Sequence, residues 1–216
     1  MPEATPPRFR RWTFPVGLLQ CNCSVIADMA ERQAVVVDPG DNINRIVALL
    51  DEHKLRLAAI AITHAHIDHI GGAAALQARR PAPVLLQPAD HAVHATLDSQ
   101  AGWIGVAPPP RVAIDAPLAE AAPLTFGAFS LQVIETPGHT PGSVCLYLPG
   151  ESLLLAGDTL FAGAIGRTDL PGGDWDQILR SIHHKLLPLP DATLVVPGHG
   201  PETTIGAERR DNPFLI

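Results

Sequence analysis

The sequence predicts an α/β fold (α+β in its middle third) built on mixed sheets with helices on their outer faces. Three observations carry this. Short apolar runs alternate with amphipathic segments through the first half of the chain. Between 123 and 157, strands follow one another through tight turns such as Leu148-Pro149-Gly150-Glu151, with no helix between them. Gly, Pro, Asn or Asp bounds the runs, which is the usual punctuation of strands and turns.

In chain order, strands are expected at Ser24–Asp28 and Ala34–Asp38. A helix follows over Asn42–His53, where Ile43, Ile46, Val47 and Leu50 recur at helical spacing and Asp41 or Asn42 supplies the N-cap. Strand Ala58–Ile62 runs into a polar cluster, then a helix at Gly71–Ala78, a strand at Val84–Gln87 and a helix at Ala89–Leu97. Ser99–Pro110, which ends in three prolines, reads as a loop bordering the active site. Strands Ser130–Thr136, Ser143–Leu148 and Ser152–Ala156 come next. Helix Trp175–Leu186, capped by Asp174, and strand Thr193–Val196 complete the set. Residues 1–7 read as a flexible N-terminal tail and 8–216 as a single domain.

Composition narrows the function. A hydrophobic share of 46% supports a sizeable core, and a net charge of −7 without a basic stripe argues against nucleic-acid binding. No apolar run approaches the roughly 18 residues of a membrane span, and the N-terminus lacks a signal-peptide core. A cytoplasmic protein is the expectation. Three cysteines imply no disulfide framework; Cys21 and Cys23, two apart on one strand face, read as core residues.

The chemistry is concentrated in Thr63-His64-Ala65-His66-Ile67-Asp68-His69, directly after an apolar strand. Three imidazoles and a carboxylate exceed what one ion can use from one short loop, so two metals side by side are expected. Three downstream residues share a context: a strand runs out, a glycine precedes, and one ligand is displayed. They are His139 in Pro137-Gly138-His139-Thr140-Pro141-Gly142, Asp158 in Ala156-Gly157-Asp158, and His199 in Pro197-Gly198-His199. His64, His66 and His139 would serve one metal and Asp68, His69 and His199 the other, with Asp158 bridging. Two divalent ions, two carboxylates and a hydroxide leave a centre of about +1, which draws anionic substrates. Imidazole with carboxylate suits zinc first, with iron or manganese also compatible. His53, His91, His94, His183 and His184 have nothing nearby to complete a site and read as structural or exposed.

At these residues the chain resembles the metallo-β-lactamase superfamily, whose metal motifs occur here in the same order. Gly157-Asp158-Thr159-Leu160-Phe161, Gly166–Gly173 and Pro197-Gly198-His199-Gly200-Pro201 are similar to glyoxalase II-like hydrolases. Glu208–Phe214 resembles the end of the short, single-domain members of that group. The resemblance implies a four-layer αβ/βα sandwich with metals at one edge between two sheets. Full-length glyoxalase II carries an added helical domain that holds glutathione; the resemblance here does not extend to it. Arg167 and Asp169 read as an ion pair bracing the loop beside Asp158.

The implied reaction is hydrolysis of a thioester such as an S-2-hydroxyacylglutathione by a metal-bridging hydroxide, with Asp68 orienting the nucleophile. A thiolate leaves without a general acid, and none is evident, since Tyr147 lies within a strand and the lysines are Lys54 and Lys185. That favours a thioester over a β-lactam or phosphodiester, and the family's lactamases lack the bridging carboxylate. The alternative is a persulfide dioxygenase with a single iron at His64, His139 and Asp158.

Overall fold

The computed structural model describes residues 7–216, so the tail expected at 1–7 lies outside the described residues except for Pro7. The first sheet has the order β1 (Phe9–Val16), β2 (Cys21–Asp28), β3 (Gln33–Val37), β4 (Arg56–Ala61), β5 (Val84–Leu86) and β6 (Ala116–Pro117). Its first three strands pair antiparallel and β3 through β6 pair parallel. In the second sheet β7 (Leu124–Phe126), β8 (Phe129–Glu135), β9 (Val144–Leu148) and β10 (Leu153–Gly157) form an antiparallel series. A short ribbon of β11 (Leu160–Phe161) and β12 (Ala164–Ile165) intervenes. Then β13 (Leu194–Pro197) joins β10 in parallel and β14 (Thr203–Thr204) closes the edge. Both large sheets are mixed, as the sequence pattern implied.

The period of two in the strands sorts side chains into layers. Val35 and Val37 of β3 face Leu146, Leu148, Leu155 and Phe126 across the space between the sheets. Ala34 and Val36 point the other way, into a core shared with Ile46 and Leu50 of α1 (Ile43–Glu52) and Leu76 of α3 (Ala73–Arg79). On the far side Cys145, Tyr147 and Leu154 pack on Ile178 of α6 (Trp175–Ser181) and on Ile205 of α7 (Ile205–Asp211). Helix, sheet, sheet and helix therefore stack in four layers. Because both faces of most strands are covered, the strands read as near-continuous apolar runs.

Two expectations change. Ser99–Pro110 is not all loop: α5 spans Leu97–Ile104 and ends at Gly105 in the left-handed conformation. Ser99 and Gly102 weaken its intrinsic preference, and burial of Leu97 and Ala101 with hydrogen bonds from Gln100 overrides it. The helix at Trp175–Leu186 also divides, with a π-helical turn at Ile182–Leu186. Asp174 caps it as expected, accepting from Gln177 N at 2.9 Å. Asn42 sits at the start of α1 without a capping side-chain bond. The edge strand β1 was hidden by Arg10, Arg11 and Pro15, residues typical of edges but poor strand signals.

Strand direction locates the site. β3, β4 and β5 run one way; β8, β10 and β13 share a direction in the other sheet. Their carboxyl ends meet at one edge, where Val144 N donates to Thr63 O (2.9 Å) and Asn22 N to Gly198 O (2.7 Å).

Candidate metal centre

After β4 the chain bends at Thr63-His64, is extended at His66 and then turns into the single-turn helix α2 (Ile67–Ile70). That break sends His64 and His66 one way and Asp68 and His69 another. Three buried side chains pin the loop. Asp38, just past β3, accepts from Thr63 N (2.8 Å) and Thr63 Oγ1 (2.7 Å). Asp90, just past β5, accepts from Ala65 N (2.8 Å), and Gln100 of α5 accepts from Ile67 N (2.8 Å). His139 sits on the β8–β9 connection, while Asp158 and His199 directly follow β10 and β13. A side chain at Gly198 would run into Asp158 Oδ1 and the His69 ring, so glycine is what lets this strand end approach.

All seven residues singled out in the sequence lie together. Ligand atoms of His64, His66 and His139 fall within 4.8 Å of one another, and so do those of Asp68, His69 and His199. The two triads abut, with the His64 and His69 ring centroids 4.0 Å apart. Asp158 lies between: Oδ1 is 3.4 Å from His69 Nε2, and Oδ2 is 3.6 Å from His139 Nε2 and 3.7 Å from His199 Nε2. Within the triads, His139 Nε2 is 3.0 Å from His66 Nδ1 and His199 Nε2 is 3.0 Å from Asp68 Oδ2.

The surrounding hydrogen bonds orient the rings. His64 Nδ1 donates to Thr63 Oγ1 (3.1 Å), His69 Nδ1 to Asp38 Oδ2 (2.9 Å) and His139 Nδ1 to the Arg167 carbonyl (2.7 Å). Each bond leaves an Nε2 lone pair facing the centre. His64 Nε2, His69 Nε2 and Asp158 Oδ1 are then buried with no protein partner. Three orphaned polar atoms converging on one point are costly unless a cation receives them, so the donor set fits divalent metal.

Electrostatics agree. Burial, reinforced by His69, His139 and His66, holds His64 far below the ordinary imidazole range; burial and His139 push His66 down to about 4. Both are neutral donors at neutral pH. Burial opposes charge on Asp68 and Asp158, but His69 and His199 outweigh it and hold both carboxyls below their usual range. Burial also opposes charge on His69, yet Cys21, Asp158, Asp68 and Asp38 around it raise its pKa above the ordinary imidazole range, an environment that favours positive charge.

Asp38, Asp90 and Gln100 are functional supports that the sequence reading passed over. Asp38, in Val37-Asp38-Pro39-Gly40, is a carboxylate at a strand end held at φ 52, where a side chain is rarely placed without a structural reason. Cys21 and Cys23 are fully buried as expected, and burial pushes the Cys21 thiol up to about 12. Cys21 Sγ nevertheless lies 3.5 Å from His69 Nδ1. His53 stacks on Trp12, and His53, His91, His94, His183 and His184 stay out of the cluster. Arg167 and Asp169 form a bidentate pair at 2.7 Å. The centre opens into a cleft of about 590 Å³ walled by Leu19, Trp103, Ile104, Leu170 and Arg167.

A four-layer sandwich with His and Asp ligands at the sheet edge defines a class, and the comparisons specify it. The family model of the metallo-beta-lactamase superfamily matches residues 16–199, and the chain belongs to that superfamily. It is 38% identical over 210 residues to the hydroxyacylglutathione hydrolase GloC of Haemophilus influenzae, covering 93% of this chain and 95% of that one. Among solved structures it is similar to BLEG-1 B3 metallo-beta-lactamase (40% identity, TM-score 0.89, 95% and 99% of the two chains). It is likewise similar to TTHA1623 in a di-iron-bound form (39%, TM-score 0.85, 94% and 100%). ETHE1 from Myxococcus xanthus is more distant, at 30% identity and a TM-score of 0.77 over 95% and 83% of the chains. No helix among the described residues is long and apolar enough to cross a membrane.

Proposed function

We propose that this metallo-hydrolase cleaves thioesters of the S-2-hydroxyacylglutathione type at a two-metal centre. His64, His66 and His139 would hold one ion and Asp68, His69 and His199 the other, with Asp158 placed between the two triads. Zinc suits this donor set, and the di-iron form of TTHA1623 makes iron a second fit. The observation that carries the reading is the Asp158 carboxylate, whose two oxygens face members of both triads. The likeness to GloC supports the substrate class.

When bound, paired divalent ions supply a water acidified to near neutrality and polarise the substrate carbonyl. The chain's own groups do the rest. Thr63, Asp38 and the Arg167 carbonyl hold three rings in the tautomer that offers Nε2. Asp68, ionised at the cleft floor, would orient the attacking water by accepting a hydrogen bond from it. Leu19, Trp103, Ile104 and Leu170 give the cleft apolar walls around the acyl carbon. A leaving thiol of pKa near 8.5 departs as thiolate without a donor. The described cleft walls contain no lysine or tyrosine: Tyr147 is buried in β9, and Lys185 pairs with Glu120 at 2.6 Å.

The test is metal analysis with parallel assays on one preparation. Two metals per chain with cleavage of S-lactoylglutathione are expected. A β-lactam belongs in the panel because of the likeness to BLEG-1. The likeness to ETHE1 favours a second reading, persulfide oxidation at a single iron on His64, His139 and Asp158. One iron per chain and oxygen uptake with glutathione persulfide, without thioester cleavage, would establish that reading instead.

A further inference from the structure

We propose that the substrate's acyl arm is an uncharged aliphatic chain, lodged in a second cavity that opens off the cleft beside Asp68. This rests on the thioester reading but departs from its short hydroxyacyl arm, a lactoyl group being a short arm that the centre would cleave without filling the cavity.

The second cavity, about 300 Å³, shares Leu19, Ile67, Asp68 and Ile104 with the cleft, so the two adjoin beside Asp68. Its walls come from the β1–β2 turn (Leu18), the start of α1 (Ile43), α3 (Ala75) and the segment after α5 (Val106). Its volume is at the lower end for small-ligand sites. Among the described residues, Asp41 and Asp68 are the only charged ones that line it. No cation is present to receive a carboxylate or phosphate, and Asp41 repels either. An anionic thiol carrier is thereby left to the cleft itself, whose lining includes Arg167, paired with Asp169. The uncharged arm is left for the second cavity.

The rim gives independent support. Leu18 is 69% exposed, Leu19 43% and Val106 38%. Single exposed apolar side chains need no explanation, but three at one cavity mouth mark an apolar ligand. A short hydroxylated acyl group would leave most of this surface in water. An aliphatic chain covers it, and each added methylene increases transition-state binding roughly fourfold until the cavity is full.

The experiment uses the metal-loaded protein and a series of S-acyl-N-acetylcysteamines from acetyl to octanoyl. The expected result is kcat/KM rising about three- to fourfold per methylene through the middle of the series. Leu18→Asp, at an exposed position that folding does not depend on, should lower the hexanoyl-to-acetyl ratio by an order of magnitude or more. A flat series with acetyl still cleaved would overturn the acyl site and leave the thioester reading standing. If no thioester is cleaved, the proposed reaction fails first, and a binding measurement judges the cavity separately. S-hexyl-N-acetylcysteamine should bind more tightly than the S-ethyl compound, with a more negative heat-capacity change. Equal binding of the two would overturn the site. So would a dimer in sedimentation that Leu18→Asp dissolves without changing the chain-length ratio, since a second copy would then occupy this face.

Discussion

Asp90 should prove as necessary to the first metal position as the ligands themselves, although it touches none of the ions in this account. Its Oδ2 accepts from Ala65 N at 2.8 Å and Thr140 Oγ1 at 2.9 Å, and its Oδ1 from Gly142 N at 2.7 Å. Ala65 lies between His64 and His66, and Thr140 and Gly142 follow His139. One fully buried carboxylate therefore ties together both loops that carry the first triad. In Asp90→Asn one oxygen becomes a donor facing a donor, which strands at least one buried N–H at a cost of about 1–3 kcal/mol. Asp90→Ala strands both N–H groups, at about 2–6 kcal/mol by the same measure, while Thr140 Oγ1 keeps Ser143 Oγ at 2.7 Å. Loss of loop registration should weaken the first metal by about 10–100-fold. Urea unfolding of the metal-free protein reads the first quantity, and competition with a chromogenic chelator reads the second. An Asn variant matching wild type in both would refute the argument that Asp90 holds the loops in register.

Asp38→Asn leaves one acceptor where His69 Nδ1, Thr63 N and Thr63 Oγ1 need two, and should lower second-metal affinity about 10–100-fold and first-metal affinity less, through Thr63 and His64; sequential metal titration resolves the two. Asp158→Ala should remove activity and drop the metal content towards one ion per chain, as read by elemental analysis. If the variant keeps two tightly bound ions, Asp158 is no bridge. Acid stability has a separate determinant in Asp28. Burial raises its carboxyl, but Arg8 and the N–H groups of Ala128, Glu31 and Ala30 outweigh that and hold it at about 2. A lowered folded-state pKa gives stability that is present above about pH 4 and lost as pH falls towards 2. Since Arg8 is half exposed, the contribution is roughly 1–2 kcal/mol. The stability gap between wild type and Asp28→Asn in urea unfolding should therefore shrink between pH 6 and pH 2.

What the sequence made legible follows from range. His64, His66, Asp68 and His69 lie within one loop, and His139, Asp158 and His199 each stand behind a glycine at a strand end, so local context exposes them. Asp38 and Asp90 show no comparable local signal. An aspartate after an apolar strand looks like turn punctuation, and their partners sit 25 to 52 positions away. The same holds for secondary structure. Strands buried on both faces stood out as apolar runs, and the apolar spacing of α1 was plain. By contrast β1 carries the charges of an edge, and α5 forms because Gln100 and the packing of Leu97 and Ala101 hold it against weak propensity. Residues whose structure is set by distant contacts are the ones a local pattern misses.

The central claim is that two ions share Asp158, and anomalous diffraction from crystals of the metal-loaded protein tests it most directly. Two peaks per chain are expected, roughly 3.5–4 Å apart, one among His64, His66 and His139 and one among Asp68, His69 and His199, with Asp158 contacting both. A single peak under saturating metal, with Asp68, His69 and His199 left without an ion, would contradict it.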